Sequence, residues 1–283
     1  MIIARLQGGL GNQLFQYAAA KALSMQLNTS FKLENITSLR KDKLRYIALN
    51  DFNTQFELAT AKEIKQFVYF PSLYRHQPGI FSKLGRYIYR EPHFHYDPHL
   101  FQLSSPLFID GFWQSPLYFK NIEQAIRQDF TVKEELIKGV KQKGEALKNS
   151  SSIAVHIRRG DFLNPKAAAY HGILGPDYYI KAIATIKEKI PGATVHYFSD
   201  DIEWVKANLP ADNAEFVSAF TKSAIEDFYL MIKCNHNIIA NSSFSWWTAW
   251  LNNNPGKIVV APKQWFAVGH NTNDLIPDGW IRI

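Results

Sequence analysis

The sequence predicts an α/β protein made of two Rossmann-like domains, and two observations carry that expectation. From residue 152 to residue 261, short apolar runs alternate with helical patterns, the signature of a parallel sheet with helical crossovers. The N-terminus repeats the plan once as strand, glycine loop, helix and strand. Ile2 to Leu6 is a short apolar strand broken by Gly8-Gly9-Leu10-Gly11. From Asn12, read as the helix N-cap, LFQYAAAKALSMQL repeats apolar residues at three and four, as a buried helix does. Ser30 to Leu33 is the second strand. Residues 35 to 105, rich in aromatic residues, proline and histidine, have weak periodicity and read as irregular helices and loops. Leu107 to Ile109 is a strand, and Leu117 to Phe130 and Lys133 to Leu147 are helix candidates.

The polar stretch Asn149-Ser150-Ser151-Ser152 is the expected boundary, giving domains of 1–150 and 151–283. Beyond it come a strand over 152–158, a helix from Pro176 to Ile190 stopped by Pro191-Gly192, and a strand from Val195 to Phe198. A short helix near 202–208, a strand at Glu215 to Val217 and a helix from Ser223 to Cys234 follow. Asn237 to Ala240 is a strand, Asn241-Ser242-Ser243 caps a helix through SFSWWTAWL, and Lys257 to Ala261 is the last central strand. The spacing of Trp246, Trp247 and Trp250 favours core over a sugar platform.

A chain of 283 residues with 46% hydrophobic and 20% charged residues has ample material for two cores. Its net charge of +7 favours acidic partners such as nucleotides or anionic lipid. The basic residues are scattered, and the densest patch, Arg40 to Arg45, is interrupted by Asp42, so a nucleic-acid groove is not indicated. The single cysteine, Cys234, excludes an internal disulfide and, set among apolar residues, reads as a buried inert thiol. With no signal-peptide pattern and no apolar run long enough to span a bilayer, the expectation is a cytoplasmic protein, with room for peripheral contact at the anionic inner face of the cell membrane. The sequence carries no information on oligomeric state.

His156-Ile157-Arg158-Arg159-Gly160-Asp161 is the most informative segment. Two arginines close an apolar strand, at the strand end where open α/β sheets bind ligands. A guanidinium stays charged and presents a planar fork suited to phosphate or carboxylate oxygens. Asp161 can hold one arginine so that the other faces a ligand; the competing reading is a structural Arg–Asp pair. Gly8 to Gln13 follows a strand and opens a helix, a place that favours an anion, although Leu14 occupies the third position of the dinucleotide fingerprint. Ser242-Ser243 offers hydroxyls and amides at another strand-to-helix junction, or simple capping. Asp227, inside an apolar helix, can accept the N–H donors of a guanine edge or serve as a capping acid. No Asp-x-Asp, His-Glu-x-x-His or phosphate-loop motif occurs, so no metal site is expected.

Three segments, GGLGNQLFQYA, HIRRGDF and DFYLMIKCNHNIIANSSFSWWTAWL, resemble glycosyltransferase family 11, the α-1,2-fucosyltransferases, over nearly the whole chain. The resemblance implies two facing Rossmann-like domains of GT-B type, the N-terminal one mainly for the acceptor and the C-terminal one for GDP-fucose. It implies metal-independent, inverting transfer of fucose from GDP-β-L-fucose to the 2-hydroxyl of a terminal β-galactose. Arg158 would contact the β-phosphate, with Arg159 and Asp161 supporting it and His156 along the nucleotide. Asp227 would read guanine, and Ser242, Ser243 and Phe244 would line the nucleotide. Gly11, Asn12 and Gln13 would lie near the diphosphate and the fucose. Two alternatives stay open: another linkage or acceptor, or a silent nucleotide-sugar or glycan binder. FLNPKAAAYHG holds no acid that could serve as base; His171 has a suitable ordinary pKa but reads as a loop residue, and the base is unassigned.

Overall fold

The computed structural model describes residues 1–37, 46–74 and 76–283, so the basic patch at Arg40 to Arg45 lies outside the described residues. The chain forms two compact units, residues 1–131 with 271–275, and residues 132–270 with 276–283.

In the first unit, β1 (Ile2–Arg5), β2 (Phe31–Glu34), β3 (Ile88–Arg90) and β4 (Leu107–Asp110) form a parallel sheet in the order β2–β1–β4–β3. The central strands β1 and β4 are buried along their whole length, so each reads as three apolar residues, and the charged residues that end them, Arg5 and Asp110, pair at 3.1 Å. The helix Leu10–Gln26 packs on β1 and buries Leu14, Phe15 and Tyr17 with three successive alanines. Its N-cap is Gly9 rather than Asn12. Gly8 turns the chain at φ +79, so the helix starts early and Asn12 falls in its first turn. The stretch read as irregular contains β3 and the short helices Ala61–Lys65, Pro71–Tyr74 and Pro78–Phe81. None is long enough to show a period. The candidate helix at 117–130 is two 3₁₀ turns, Pro116–Tyr118 and Lys120–Ile122, leading into Glu123–Asp129.

The second unit has a six-stranded parallel sheet of β5 (Ser152–Ile157), β6 (Thr194–Ser199), β7 (Ala214–Phe216), β8 (His236–Ile238), β9 (Val259–Ala261) and β10 (Ile281–Arg282). The order is β10–β9–β8–β5–β6–β7. The chain builds outward from β5 to β7, then crosses to β8 on the other side. The switch point, where such sheets open a ligand crevice, therefore lies between β5 and β8. Ile153, Val155 and Ile157 centre the core between β5 and the helix Pro176–Lys187.

The boundary differs from the expectation at residue 150. The helices Glu134–Ile137 and Lys141–Lys148 pack on the helix Ala224–Lys233 and belong to the second unit. Gly144 makes this possible, since a Cβ there would stand 2.6 Å from Cε1 of Tyr229. The polar stretch before β5 is only a loop. Residues 271–275 return to the first unit, where the Ser115 hydroxyl donates to the Asp274 carbonyl at 3.2 Å and the Tyr96 amide donates to the Asp274 carboxylate. Among the described residues, no helix is long and apolar enough to cross a membrane.

The helix Ser243–Leu251 buries Trp246 and Trp247 completely and Trp250 nearly so, which places the tryptophan stripe in the core. Replacing one such ring by a methyl leaves a cavity. Trp246→Ala is expected to lower the unfolding free energy by about 3–5 kcal/mol, measured by urea denaturation.

Candidate functional site

In the second unit the site grows from the ends of β5 and β6. Ile157 is in register with Ser199, which sets Arg158 beside Asp200 one step beyond the sheet. The Arg158 guanidinium is gripped from two sides, with Nη2 2.6 Å from the Asp161 carboxylate and Nη1 2.7 Å from that of Asp200. Asp200 is fixed in turn, because its Oδ1 accepts from the amides of Arg159 (2.9 Å) and Gly160 (3.1 Å). This explains Gly160, where a Cβ would come within 2.5 Å of Asp200 Oδ2. Arg159 is held apart, with Nε donating to Asp201 at 3.0 Å and its guanidinium over the Trp204 ring at 4.0 Å. The Arg158 side chain is still one-third exposed (33%).

On the β8 side, His156 is buried and stacks on Phe244, ring centroids 5.3 Å apart, while Phe228 meets Phe244 edge-on at 5.2 Å. Burial first, and the Arg158 charge second, push His156 down to about 3, so it is a neutral ring at physiological pH. Ser242 is the N-cap of the helix Ser243–Leu251 without a side-chain cap bond. Both its hydroxyl and the first-turn amides are therefore placed at an anion-favouring helix end. Asp227 sits farther along, both carboxylate oxygens accepting at 2.6 Å from the hydroxyls of Ser218 and Thr221. Burial raises its pKa, and these two bonds oppose the shift.

In the first unit the glycine loop is a hydrogen-bonded turn. Asn12 Oδ1 accepts from the Gln114 side chain at 2.8 Å, and a Cβ on Gly8 would collide with the Asn12 amide. Gly11 is buried in the helix. Gln13 is also buried, and its amide serves the interior: it donates to the carbonyls of Gly8 and Tyr46 and accepts from the Ala48 amide. The structure thus brings His156, Arg158, Arg159, Asp161 and Phe244 together at the β5 end of one unit, and Gly11, Asn12 and Gln13 at the β1 end of the other.

Sequence reading missed Asp200 and Glu91. In the sequence Asp200 and Asp201 are simply adjacent acids, and nothing local to them signals Arg158. Glu91 accepts from the amides of Phe112 (2.7 Å) and Trp113 (2.9 Å), and burial pushes it up to about 7. Near it, Asp110 engages Arg5 at 3.1 Å and Arg90 at 3.3 Å.

The family model of glycosyltransferase family 11 matches residues 1–283. The chain belongs to glycosyltransferase family 11. It is therefore a glycosyltransferase, and the motif residues above are this family member's own. An alpha-1,2-colitosyltransferase of Escherichia coli is 34% identical over 299 residues, spanning 100% of this chain and 99% of that protein. A galactoside alpha-(1,2)-fucosyltransferase 1 of Leontocebus fuscicollis is 26% identical over 154 residues, 50% of this chain and 42% of that one. The GDP complex of an Arabidopsis thaliana FUT1 mutant superposes with a TM-score of 0.54, covering 92% of this chain and 70% of that one at 12% identity. The shared fold is the GT-B type expected from the sequence.

Being buried and neutral, His156 links stability to pH. Its folded pKa lies below the ordinary 6.5, so between pH 6.5 and about 3 the unfolded chain binds a proton that the folded chain refuses. The stability held above pH 6.5 is lost as pH falls through that window. His156→Phe is expected to flatten the decline, read from urea unfolding at pH 7.0, 5.5 and 4.5. An unchanged slope would assign the acid sensitivity to other groups.

Proposed function

We propose that this glycosyltransferase moves L-fucose from GDP-β-L-fucose to the 2-hydroxyl of a terminal β-galactose, with inversion and without a metal. The observation that carries the reading is Arg158, oriented at the switch point of the second unit's sheet by Asp161 and Asp200. Breaking the bond between the fucosyl carbon and the β-phosphate leaves negative charge on the diphosphate, and the carbon becomes oxocarbenium-like. A preorganised guanidinium and helix-end amides can take that charge. Asp200, clamped by two amides, keeps its side of the fork in place. Asp161, half exposed (52%), is the partner that can yield to phosphate oxygens.

Metal independence is part of the proposal. It is supported by the pairing of one oxygen each of Asp161 and Asp200 with Arg158 and of Asp201 with Arg159, while the other oxygens of Asp200 and Asp201 accept from backbone amides. The same reading gives Phe244 and His156 to the nucleotide, Asp227 to the guanine edge, and the hydroxyls of Ser242 and Ser243 to the diphosphate. Base reading at Asp227 would require Ser218 and Thr221 to share or release its oxygens.

A second donor is favoured by one finding, the full-length likeness to a colitosyltransferase. Colitose is fucose without its 3-hydroxyl. A site that hydrogen-bonds this hydroxyl rejects the deoxy sugar strongly, whereas a site that ignores it accepts both.

The test is GDP release in EDTA, with GDP-fucose or GDP-colitose, with and without lactose, for wild type and Arg158→Ala. Acceptor-dependent release that survives EDTA and falls about 100–1000-fold in kcat in the mutant is the expected result, matching about 3–4 kcal/mol of lost charge stabilisation. A clear preference for GDP-colitose would move the donor assignment, and dependence on a divalent ion would overturn metal independence. NMR of the product reads linkage and anomeric outcome.

A further inference from the structure

The chemistry above needs somewhere for the acceptor hydroxyl's proton to go, and of the carboxylates at the β5 and β6 ends Asp200 and Asp201 are held between guanidinium groups and backbone amides, while Asp161 is the one that can yield its arginine. Asp161 and Asp200 grip Arg158, and Asp201 grips Arg159. His156 is buried against Phe244. A different histidine stands beside the same arginine. The Arg158 guanidinium lies over the ring of Phe162, 5.8 Å from its centroid. His171 stacks on Phe162, ring centroids 4.5 Å apart and planes within 6°. A half-buried ring is thus held one aromatic layer from the phosphate-binding arginine.

The clamp on His171 has several parts. Tyr170 meets it edge-on at 4.9 Å and Phe266 lies tilted at 5.7 Å. The helix Pro165–His171 ends here, and the His171 carbonyl accepts from the Asn241 side chain at 2.8 Å. Asn241 also donates to the Trp265 carbonyl at 3.2 Å and immediately precedes Ser242. The chain segments that leave β5, β8 and β9 therefore meet around this one imidazole. Among the described residues, neither ring nitrogen has a hydrogen-bond partner, so the ring is fixed by its faces and backbone while its nitrogens are left for a ligand.

Resting on the proposed fucosyl transfer, the geometry points to His171 as the general base of the reaction. The acceptor hydroxyl oxygen bonds to the fucosyl carbon, the bond from that carbon to the β-phosphate oxygen breaks with its electron pair leaving on GDP, and the hydroxyl proton passes to an imidazole nitrogen of His171. The charged groups around the ring suit this role. Burial first, and Arg158 by its charge, lower its pKa, so the ring is neutral and able to accept a proton near pH 7, while the Asp161 charge favours the imidazolium that forms. The remaining titratable neighbours, Tyr170 and His270, are bonded to each other at 2.9 Å.

The experiment compares wild type, His171→Phe and His171→Asn in the GDP-release assay between pH 5 and 9, with GDP affinity measured by calorimetry. Phenylalanine keeps the stack on Phe162 and removes the nitrogens. The expected result for His171→Phe is GDP affinity within about threefold of wild type and kcat for transfer to lactose reduced about 100-fold or more. The wild-type rise of kcat/KM with pH, centred below 6.5, should vanish in both variants. Transfer by His171→Phe within threefold of wild type, or a surviving acid limb, overturns the assignment; Glu91, pushed up to about 7, would then be the next group to test. Equal loss of GDP affinity and transfer overturns it as well, assigning His171 to the placement of Arg158. A wild type inert with GDP-fucose fails the donor reading instead, and the comparison is run with GDP-colitose.

Discussion

The Arg158 guanidinium, stretched between Asp161 and Asp200, is the contact on which the functional edge of the second unit depends. A charge at the open end of a parallel sheet is tolerable only when it is paired and oriented. Here each requirement is passed down the chain. Asp200 orients Arg158, the amides of Arg159 and Gly160 orient Asp200, and the missing side chain of Gly160 makes room for the carboxylate. Arg159 is drawn to Asp201 and Trp204, so the two neighbouring guanidinium groups are held on different carboxylates.

Around that anchor, polar commitments and aromatic packing divide the labour. His156, Phe228 and the half-buried Phe244 form an aromatic wall on one side of the strand end, and Phe162, His171 and Phe266 form another. Aromatic walls of this kind hold shape with few rotatable bonds, while the arginine between them supplies the charge. In the first unit, Gln13 and Asn12 make the glycine loop rigid from inside and outside respectively, one bonded to the loop at Tyr46 and Ala48 and the other to Gln114.

Much of this was legible in the sequence because it is local. The parallel strands are largely apolar runs, the helix after the glycine loop has its period, and HIRRGDF holds Arg158, Arg159 and Asp161 within seven consecutive residues. What stayed hidden is what depends on pairing between distant segments. Asp200 lies 42 residues from Arg158, and only the register of β5 with β6 joins them. β3 is three residues long and β10 two, too short to carry a pattern. The helix Pro165–His171 is one segment of small residues, PKAAAYH, with no apolar face to announce it. The domain boundary was misplaced for a similar reason: a polar stretch marks a loop, but membership in a unit is decided by packing such as Gly144 against Tyr229.

Neither unit is encoded by one continuous stretch of chain, since residues 271–275 belong to the first unit and 276–283, with β10, to the second. Recombination between relatives has to respect that arrangement. A chimera joined once, near residue 131, would receive its sheet edge and its five-residue insert from the same parent as the second unit, and Asp274 would meet a foreign Ser115 and Tyr96. Exchange that preserves both units needs three junctions.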